Sequence, residues 1–572
     1  MGRLDRFDRP VAVAGTGDEQ TVYRSYARRL GLPFATTVSV GPDRGVDLET
    51  IRRGAVAMTP GGSGTVYIAP TDETLPEIAH LLLRHPRARS RVAVAPPSAI
   101  RAALTSANAE RLTAAAITHL ADRAPRFSAR ATVTSFQLLL IALASAGLAA
   151  AFYRAPHATG LVLNLLGVAF FLGVTMLRVV AARRLDRRQS VDLPEALDEE
   201  LPVYTILVPL YRETPRVVAE LIAALDEIDW PRDRLDIKLL VEADDGPTRR
   251  AAEAFAGGPP YEVIAVPAIG PRTKPKALAF AQGMARGDFL TIYDAEDRPH
   301  PGQLREAYAT FRLAGPEVAC LQAPIVIDNR RASLVARLFA VEYSALFDGL
   351  LPALAEIGLP LPLGGTSNHF RRAFLDAVGG WDPFNVTEDA DLGIRLARCG
   401  LRSATLTLPT YEEAPVAIGQ WLGQRARWFK GWLQTWLVHT REPVRLAREL
   451  GFRQLVGFNL VGIGMLISAL IHPIFLSTLV AVAISPRLLW DGHFFDGLVI
   501  SANLVNLFAG YIGAAALAGR TLALRGHGED AVALLGLPLY WLLMWVACVK
   551  AIIELVRRPH HWQKTTHRGR GP

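Results

Sequence analysis

Cysteine is scarce in this chain: there are three in 572 residues, and Cys320, Cys399 and Cys548 lie too far apart to form a CxxC pair. Neither a disulfide framework nor a cysteine zinc site is supported, and a reducing, cytosol-facing setting fits. Charge is thin as well, at 20% of residues against 50% hydrophobic. That is more apolar than an ordinary soluble domain and directs attention to membrane segments. No basic block is interleaved with base-stacking aromatics, so the net charge of +8 is not read as a nucleic-acid footprint. Basic residues also gather at cytoplasmic membrane flanks and around diphosphates. Residues 1–20 lack the basic-then-apolar pattern of a secretory signal, so the chain is expected to start in the cytosol. No internal repeat or low-complexity tract stands out, and the length predicts two or three modules.

Long apolar runs are what the chain does have. Residues 133–153 and 159–182 are nearly charge-free, and each is long enough for a hydrocarbon core that takes about 20 helical residues. Only RAPHA joins them, which predicts a transmembrane hairpin at 131–184. Arg123, Arg126 and Arg130 precede it, and Arg183, Arg184, Arg187 and Arg188 follow it. By the positive-inside rule both flanks are cytoplasmic. Runs at 455–485, 496–518 and 531–556 predict a C-terminal transmembrane bundle at 453–558, followed by a basic cytosolic tail at 559–572. Three crossings would put that tail outside, so one run has to differ. Either His472-Pro473 breaks the first into two turned helices, or the last lies in the interface.

Residues 200–440 read as α/β. The segments 203–211 and 237–245 are short β-branched apolar runs that end in polar residues and alternate with helical stretches such as 215–228. This pattern predicts a parallel doubly wound sheet with its ligand at the carboxyl ends of the strands. Residues 1–125 predict a second, small cytosolic α/β domain, with a helix at TVYRSYARRLG, strands at 65–70 and 91–96, and a helix at 75–85.

Four clusters in 200–440 carry chemistry. Asp244 and Asp245 end a strand, where a carboxylate can accept from a base or ribose; Asp-Asp before Gly-Pro is also a common turn. Residues 289–301 run from an apolar strand into Asp294, Glu296 and Asp297. Acids leaving a buried strand at i and i+2 suit a hard cation such as Mg²⁺ or Mn²⁺, the alternative being a solvated acidic turn. Thr387, Glu388 and Asp389 stand just before a helix expected to begin near Asp391, where an acidic cap is the alternative. Gln424, Arg425, Arg427 and Trp428 form QRARW: arginine forks match diphosphate oxygens, and an indole can stack on a sugar. Trp421, Trp428, Trp432 and Trp436 fall on one helical stripe, which predicts an interfacial helix lying on a membrane.

The ordered set of strand-terminal DD, DxE or DxxD, TED and QxxRW, framed by apolar runs, resembles family 2 glycosyltransferases of the type that includes cellulose and other processive polysaccharide synthases. The resemblance implies a GT-A-like (Rossmann-like) α/β catalytic domain at 200–440 and an enzyme using a nucleotide-sugar donor, a UDP-sugar. It implies donor contacts from Asp244, Asp245, Glu213, Lys276, Asp294, Gln424, Arg425 and Arg427. Mg²⁺ or Mn²⁺ would be held by Asp294 with Glu296 or Asp297, since the family's second aspartate is glutamate here and either neighbour can serve. Lys274 and Lys276 either meet phosphate oxygens or stand in solvent. Asp389, flanked by Thr387 and Glu388, inherits the role of base, and Trp428 that of acceptor platform, with Gly365, Thr366 and Ser367 along the acceptor channel.

A base on the acceptor side, opposite the metal-bound leaving group, means a single displacement that inverts the sugar. The expected product is a polysaccharide extended at the cytosolic face of a bacterial inner membrane, coupled to export. A single transfer to polyprenyl phosphate has no need of QxxRW, and an inactive receptor has no physical reason to keep the whole set. An ion-coupled transporter would carry more intramembrane charge. At the N-terminus, ARRLGLPFATTV and RVAVAPPSAIRAAL are similar to the N-terminal domain of type II secretion ATPases, some of which bind cyclic di-GMP. That resemblance implies cyclic di-GMP as a partner at Arg29, Leu30 and Gly31; a helix end followed by glycine is the plainer meaning of the tripeptide.

Overall fold

The computed structural model describes residues 19–43, 45–59, 64–185, 201–485 and 494–559. Residues 1–18 of the N-terminal segment and all but the first residue of the basic tail read at 559–572 lie outside them. The N-terminal α/β segment runs α1 (Glu19–Leu30), α2 (Leu48–Arg53), β1 (Val56–Met58), β2 (Val66–Ile68), α3 (Leu75–Arg84), β3 (Val92–Val94) and α4 (Pro97–Arg123). β2 pairs antiparallel with β1 and parallel with β3. Gly31 takes φ 65° directly after α1, the left-handed conformation that suits a helix end. β1 and the long α4 were not foreseen: one is three residues, and the other is too evenly mixed in polarity to show a stripe.

α5 (Ser135–Arg154) and α6 (Pro156–Arg184) form the hairpin with only Ala155 between them. Thr134 and Gln137 close a reciprocal capping box at the start of α5, which satisfies donors the first turn would otherwise expose. Phe136, Leu138, Leu139 and Leu143 are more than half exposed, as lipid-facing side chains are in a bare hairpin.

The central domain is built on β4 (Tyr204–Leu210), β5 (Leu235–Glu242), β6 (Tyr261–Val266), β7 (Phe289–Ile292), β8 (Arg298–Pro299), β9 (Val318–Gln322), β10 (Ile325–Ile327), β11 (Asn368–Arg371), β12 (Arg402–Thr405) and β13 (Thr410–Glu412). Between them run α7 (Pro215–Asp226), α8 (Gly246–Ala256), α9 (Lys274–Gln282), α10 (Gln303–Leu313), α11 (Leu334–Ser344), α12 (Leu351–Glu356), α13 (Arg372–Ala377), α14 (Glu388–Arg398) and α15 (Ile418–His439). The main sheet has the order β12-β9-β11-β7-β4-β5-β6. Every residue of β5 is buried, which is why it reads as a continuous apolar run: helices cover both faces. The sheet is mixed rather than all parallel, because β11 lies antiparallel between β7 and β9. β11 is four residues of Asn-His-Phe-Arg, too short and polar to announce a strand. The chain winds from β4 through β5 to β6 and then crosses to β7 on the other side of β4. A crevice opens at such a reversal, at the strands' carboxyl ends. α4 packs against α9, and Arg52 Nε donates to Gly283 O at 2.7 Å, which joins the N-terminal segment to the back of this domain.

The C-terminal helices are α16 (Pro443–Ile484), α17 (Phe494–Leu524) and α18 (Leu537–Arg557). α16 departs from helical geometry at Gly451 (φ 68°, ψ 169°) but continues through His472-Pro473. Of the two alternatives left open, the break at that proline is absent, since neighbouring helices stabilise an internal proline in an apolar bundle. Among the described residues six helical segments are long and apolar enough to cross a membrane. One of them, Leu334–Glu356, has 67% of its most apolar window buried in protein; its apolarity serves the core between sheet and bundle. α18 accompanies α15, with Tyr540 meeting Trp421 and Glu554 meeting Lys430.

Candidate active site

The carboxyl ends of β4, β5 and β7 open into one cavity of about 490 Å³. Glu213 after β4, Asp294 and Glu296 after β7, Gly365 and Thr366 before β11, Thr387, Glu388 and Asp389 at the start of α14, and Gln424, Arg425, Arg427 and Trp428 of α15 all line it. It continues between the membrane helices, past Phe171, Leu460, His472 and Trp541.

In the acidic turn after β7, Glu296 faces the cavity while Asp297 is fully buried behind it. Asp297 Oδ2 accepts from Asp294 N at 2.6 Å and from the Thr366 hydroxyl. Burial, with Asp294 and Glu296 beside it, raises the Asp297 carboxyl well above the carboxylate range. Asp297 therefore braces the turn, and of the two carboxylates it is Glu296 that faces the cavity. Lys274, first residue of α9, ion-pairs with Asp294 and donates to Gly365 O at 2.7 Å. Burial works against its charge, but Asp294 and Glu388 outweigh it and raise its pKa. The corner thus gathers positive charge against hard oxygen donors. Among the described residues no three acidic, histidine or cysteine side chains come together as a metal cage. Two carboxylates facing a cavity fit a divalent cation whose shell is completed by phosphates and water.

Lys276 was expected at the donor and is instead buried, with Nζ 2.7 Å from Glu242 Oε1 and 3.1 Å from Pro267 O. Both lysines sit on α9, but two residues on a helix point about 200° apart, so one reaches the cavity and the other the core. Asp245 caps α8, accepting from Thr248 N at 3.3 Å and from Arg212 N at 2.5 Å. Asp244 pairs with Arg272 at 2.7 Å, and Arg272 lines the cavity. Neither aspartate is itself on the wall of the cavity among its described residues. Ser367 is buried behind the wall, where its hydroxyl donates to Thr410 Oγ1 at 2.7 Å.

α14 begins at Glu388, three residues earlier than expected, so Glu388 and Asp389 occupy its first turn. Thr387 holds the N-cap position without a side-chain capping bond. Asp389 Oδ1 accepts from Ala390 N at 2.7 Å. Burial raises the pKa of both carboxyls; Glu388, beside Asp389, is pushed up to about 8. Lys274 and Arg427 lower both, so the pair is held between desolvation and two cations.

α15 seats this turn with one face. Gln424, Arg427 and Trp428 line the cavity at helical spacing, and Gly431, Gln434 and Thr435 continue the stripe. Gln434 Oε1 accepts from Val386 N at 3.2 Å, and Asn385 Nδ2 donates to Thr435 Oγ1 at 3.1 Å. Gly431 lies against Thr387, where a side chain would have no room. Trp428 stacks near Tyr343, ring centroids 6.2 Å apart at 25°.

Arg425 departs from the donor role expected of it. Its guanidinium is committed to Glu342 at 2.7 and 2.8 Å and to Tyr540 OH at 3.3 Å, and lies over Trp428 at 4.3 Å. It fastens α15 to α11 and α18. The tryptophan stripe departs too: Trp421 is buried and donates to Tyr540 OH at 3.1 Å, and Trp436 donates to Asn459 Oδ1 at 3.1 Å. These indoles face protein helices rather than lipid. Glu412, Glu342, Tyr343 and Arg178 also line the cavity, and sequence reasoning missed them. Each is one polar or aromatic residue in an unremarkable stretch, brought in by folding alone.

Residues 289–553 match the model described as glycosyl transferase family group 2, and residues 205–372 that of glycosyl transferase family 2. Cellulose synthase 1 of Komagataeibacter xylinus is 28% identical over 251 residues, 43% of this chain and 16% of that protein. The cellulose synthase catalytic subunit (UDP-forming) of Komagataeibacter sucrofermentans is 27% identical over 257 residues, 44% of this chain and 33% of its own. The chain thus spans a sixth to a third of these two relatives. Among solved structures, the mannosyltransferase PcManGT of Pyrobaculum calidifontis, in complex with GDP-Man and Mn²⁺, aligns with a TM-score of 0.45 and 20% identity over 69% of this chain and 98% of that one.

Proposed function

We propose, from the premise that this chain belongs to the family 2 glycosyltransferases, that it moves a sugar from a UDP-sugar to a growing polysaccharide with inversion at the anomeric carbon. The observation that carries this reading is the single cavity shared by Asp294, Glu296, Glu388, Asp389, Gln424, Arg427 and Trp428, which runs on into the membrane helices. Asp294 and Glu296 would hold Mg²⁺ or Mn²⁺, which when bound neutralises charge on the departing diphosphate. Arg427 and Lys274 add fixed positive charge on the same side. The acceptor sugar lies on Trp428, and Asp389 takes the proton from its hydroxyl. The oxygen–carbon bond to the acceptor forms as the bond to the nucleoside diphosphate breaks, and the configuration inverts.

The arginine-rich flanks of the hairpin support a catalytic domain on the cytosolic side of a bacterial inner membrane. α18 runs beside α15, whose Gln424, Arg427 and Trp428 border the reaction end of the cavity, and on that ground we place it in the interfacial layer at the cytosolic edge of the bundle. Four crossings then remain, by α5, α6, α16 and α17, and the basic tail stays inside. The extension of the cavity between the helices of the bundle supports a route outward for the product.

The test is nucleotide release by the full chain in nanodiscs, with Mg²⁺ or Mn²⁺ and a panel of UDP-sugars. Asp389→Asn is expected to lower turnover by about 10²–10⁴-fold, the usual contribution of a positioned base, with donor affinity retained. Turnover within a few-fold of the parent would remove Asp389 from the role.

A further inference from the structure

The wall of the cavity changes character along its length. At the reaction end it carries the carboxylates Glu213, Glu242, Asp294, Glu296, Glu388, Asp389 and Glu412. Between α6, α16, α17 and α18 its lining is mostly apolar and aromatic, and among the described residues of these helices one formally charged side chain faces it, Arg178 of α6. Arg178 lies inside the apolar run, with its guanidinium over the Trp541 ring at 5.4 Å. Trp541 is itself fixed by Tyr511, stacked at 4.9 Å and 11°, and by His472 at 5.4 Å edge-on. The carboxylate on α11, Glu342, is already committed to Arg425 and Tyr540. With the described residues Arg178 forms no ion pair or hydrogen bond.

A charge retained in an apolar bundle is costly and marks a substrate path. An arginine stacked on an indole keeps its N–H donors in the guanidinium plane, free for a bidentate oxyanion. A neutral glycan needs no cation there, since aromatic faces and hydroxyl partners suffice.

We propose that Arg178 forms an oxyanion subsite in the bundle section of the cavity and that the acceptor carries an anionic group there, a carboxylate or a phosphate. This deepens the glycosyltransferase reading and rests on it. The carboxylate source is an acidic sugar in the chain; the phosphate source is a lipid carrier.

The experiment measures equilibrium binding to the full chain in nanodiscs of neutral lipid. The probes are a uronic-acid tetrasaccharide, a neutral tetrasaccharide, and a short polyprenyl phosphate beside its alcohol. An acidic probe is expected to bind at least about tenfold tighter than its neutral counterpart, the order of one charge-assisted hydrogen bond. Added salt should narrow that ratio. Arg178→Gln should bring it to about one, and Arg178→Lys should keep part of it. Preference for the uronate assigns the anion to the glycan; preference for the phosphate assigns it to the carrier. Equal binding within both pairs, or a preference that Arg178→Gln leaves intact, overturns the subsite. Lysine retention and the salt response separate loss of charge from loss of fold. Because binding needs no turnover, a chain that releases no nucleotide from any donor sinks the enzymatic reading without touching this ratio.

Discussion

Gly431→Ala tests whether α15 positions the catalytic turn. A Cβ at this position would lie 2.3 Å from Thr387 Cγ2, 2.4 Å from its Oγ1 and 2.7 Å from its Cβ. Carbon atoms settle at roughly 3.5–4.0 Å, so every contact is about 1 Å too short. Rotating Thr387 cannot relieve it, because its own Cβ is among the clashing atoms. The turn must move, and Asp389 is two residues on. Overpacking of this kind costs about 1–3 kcal/mol, while replacing glycine by alanine in a helix interior returns about 1 kcal/mol. Stability should therefore fall by at most about 2 kcal/mol. A displacement of about 1 Å at reacting groups costs up to about 10²-fold in rate. Nucleotide release in nanodiscs should thus drop by roughly 10–100-fold with little change in Tm. Gly419→Ala, on the same helix with nothing within 4 Å, is the control and should be neutral. Turnover of Gly431→Ala within about twofold of the parent would refute the idea that α15 seats Thr387 to Asp389.

The pH–rate profile should have an acidic limb displaced above the ordinary aspartate range of about 4, because burial raises Asp389 and the base must be ionised. Glu388→Gln removes the carboxyl that burial and Asp389 push up to about 8; turnover should survive it, and a loss as deep as that of Asp389→Asn would make Glu388 rather than Asp389 the base. Glu342→Gln leaves the buried Arg425 guanidinium without its counter-charge, and breaking such a pair costs about 3–5 kcal/mol. Since the Glu342 side chain keeps 32% exposure, the lower end is expected, read as a Tm several degrees down. An unchanged Tm would mean that Arg425 does not fasten α15.

What the sequence alone determined is what depends on neighbours along the chain. Charge-free runs located α5, α6 and the C-terminal helices, because spanning a hydrocarbon core sets length and polarity directly. Apolar runs ending in polar residues located β4, β5 and β7, and QRARW marked Gln424, Arg427 and Trp428 for the site. The order of the four clusters was enough to name the family. Which member of each cluster meets the cavity depended on what packs opposite. Lys274 reaches it and Lys276 does not, Glu296 faces it while Asp297 braces from behind, and of the two arginines that border it Arg425 is tied to Glu342. Sequence periodicity separates the two sides of a helix but not the partner each side finds. The tryptophans of α15 look lipid-facing until α16 and α18 cover them, and His472-Pro473 looks like a break until the bundle supports it. Arg178 stood unnoticed in an apolar run, because only the closure of α6 against α16, α17 and α18 puts it on the cavity wall.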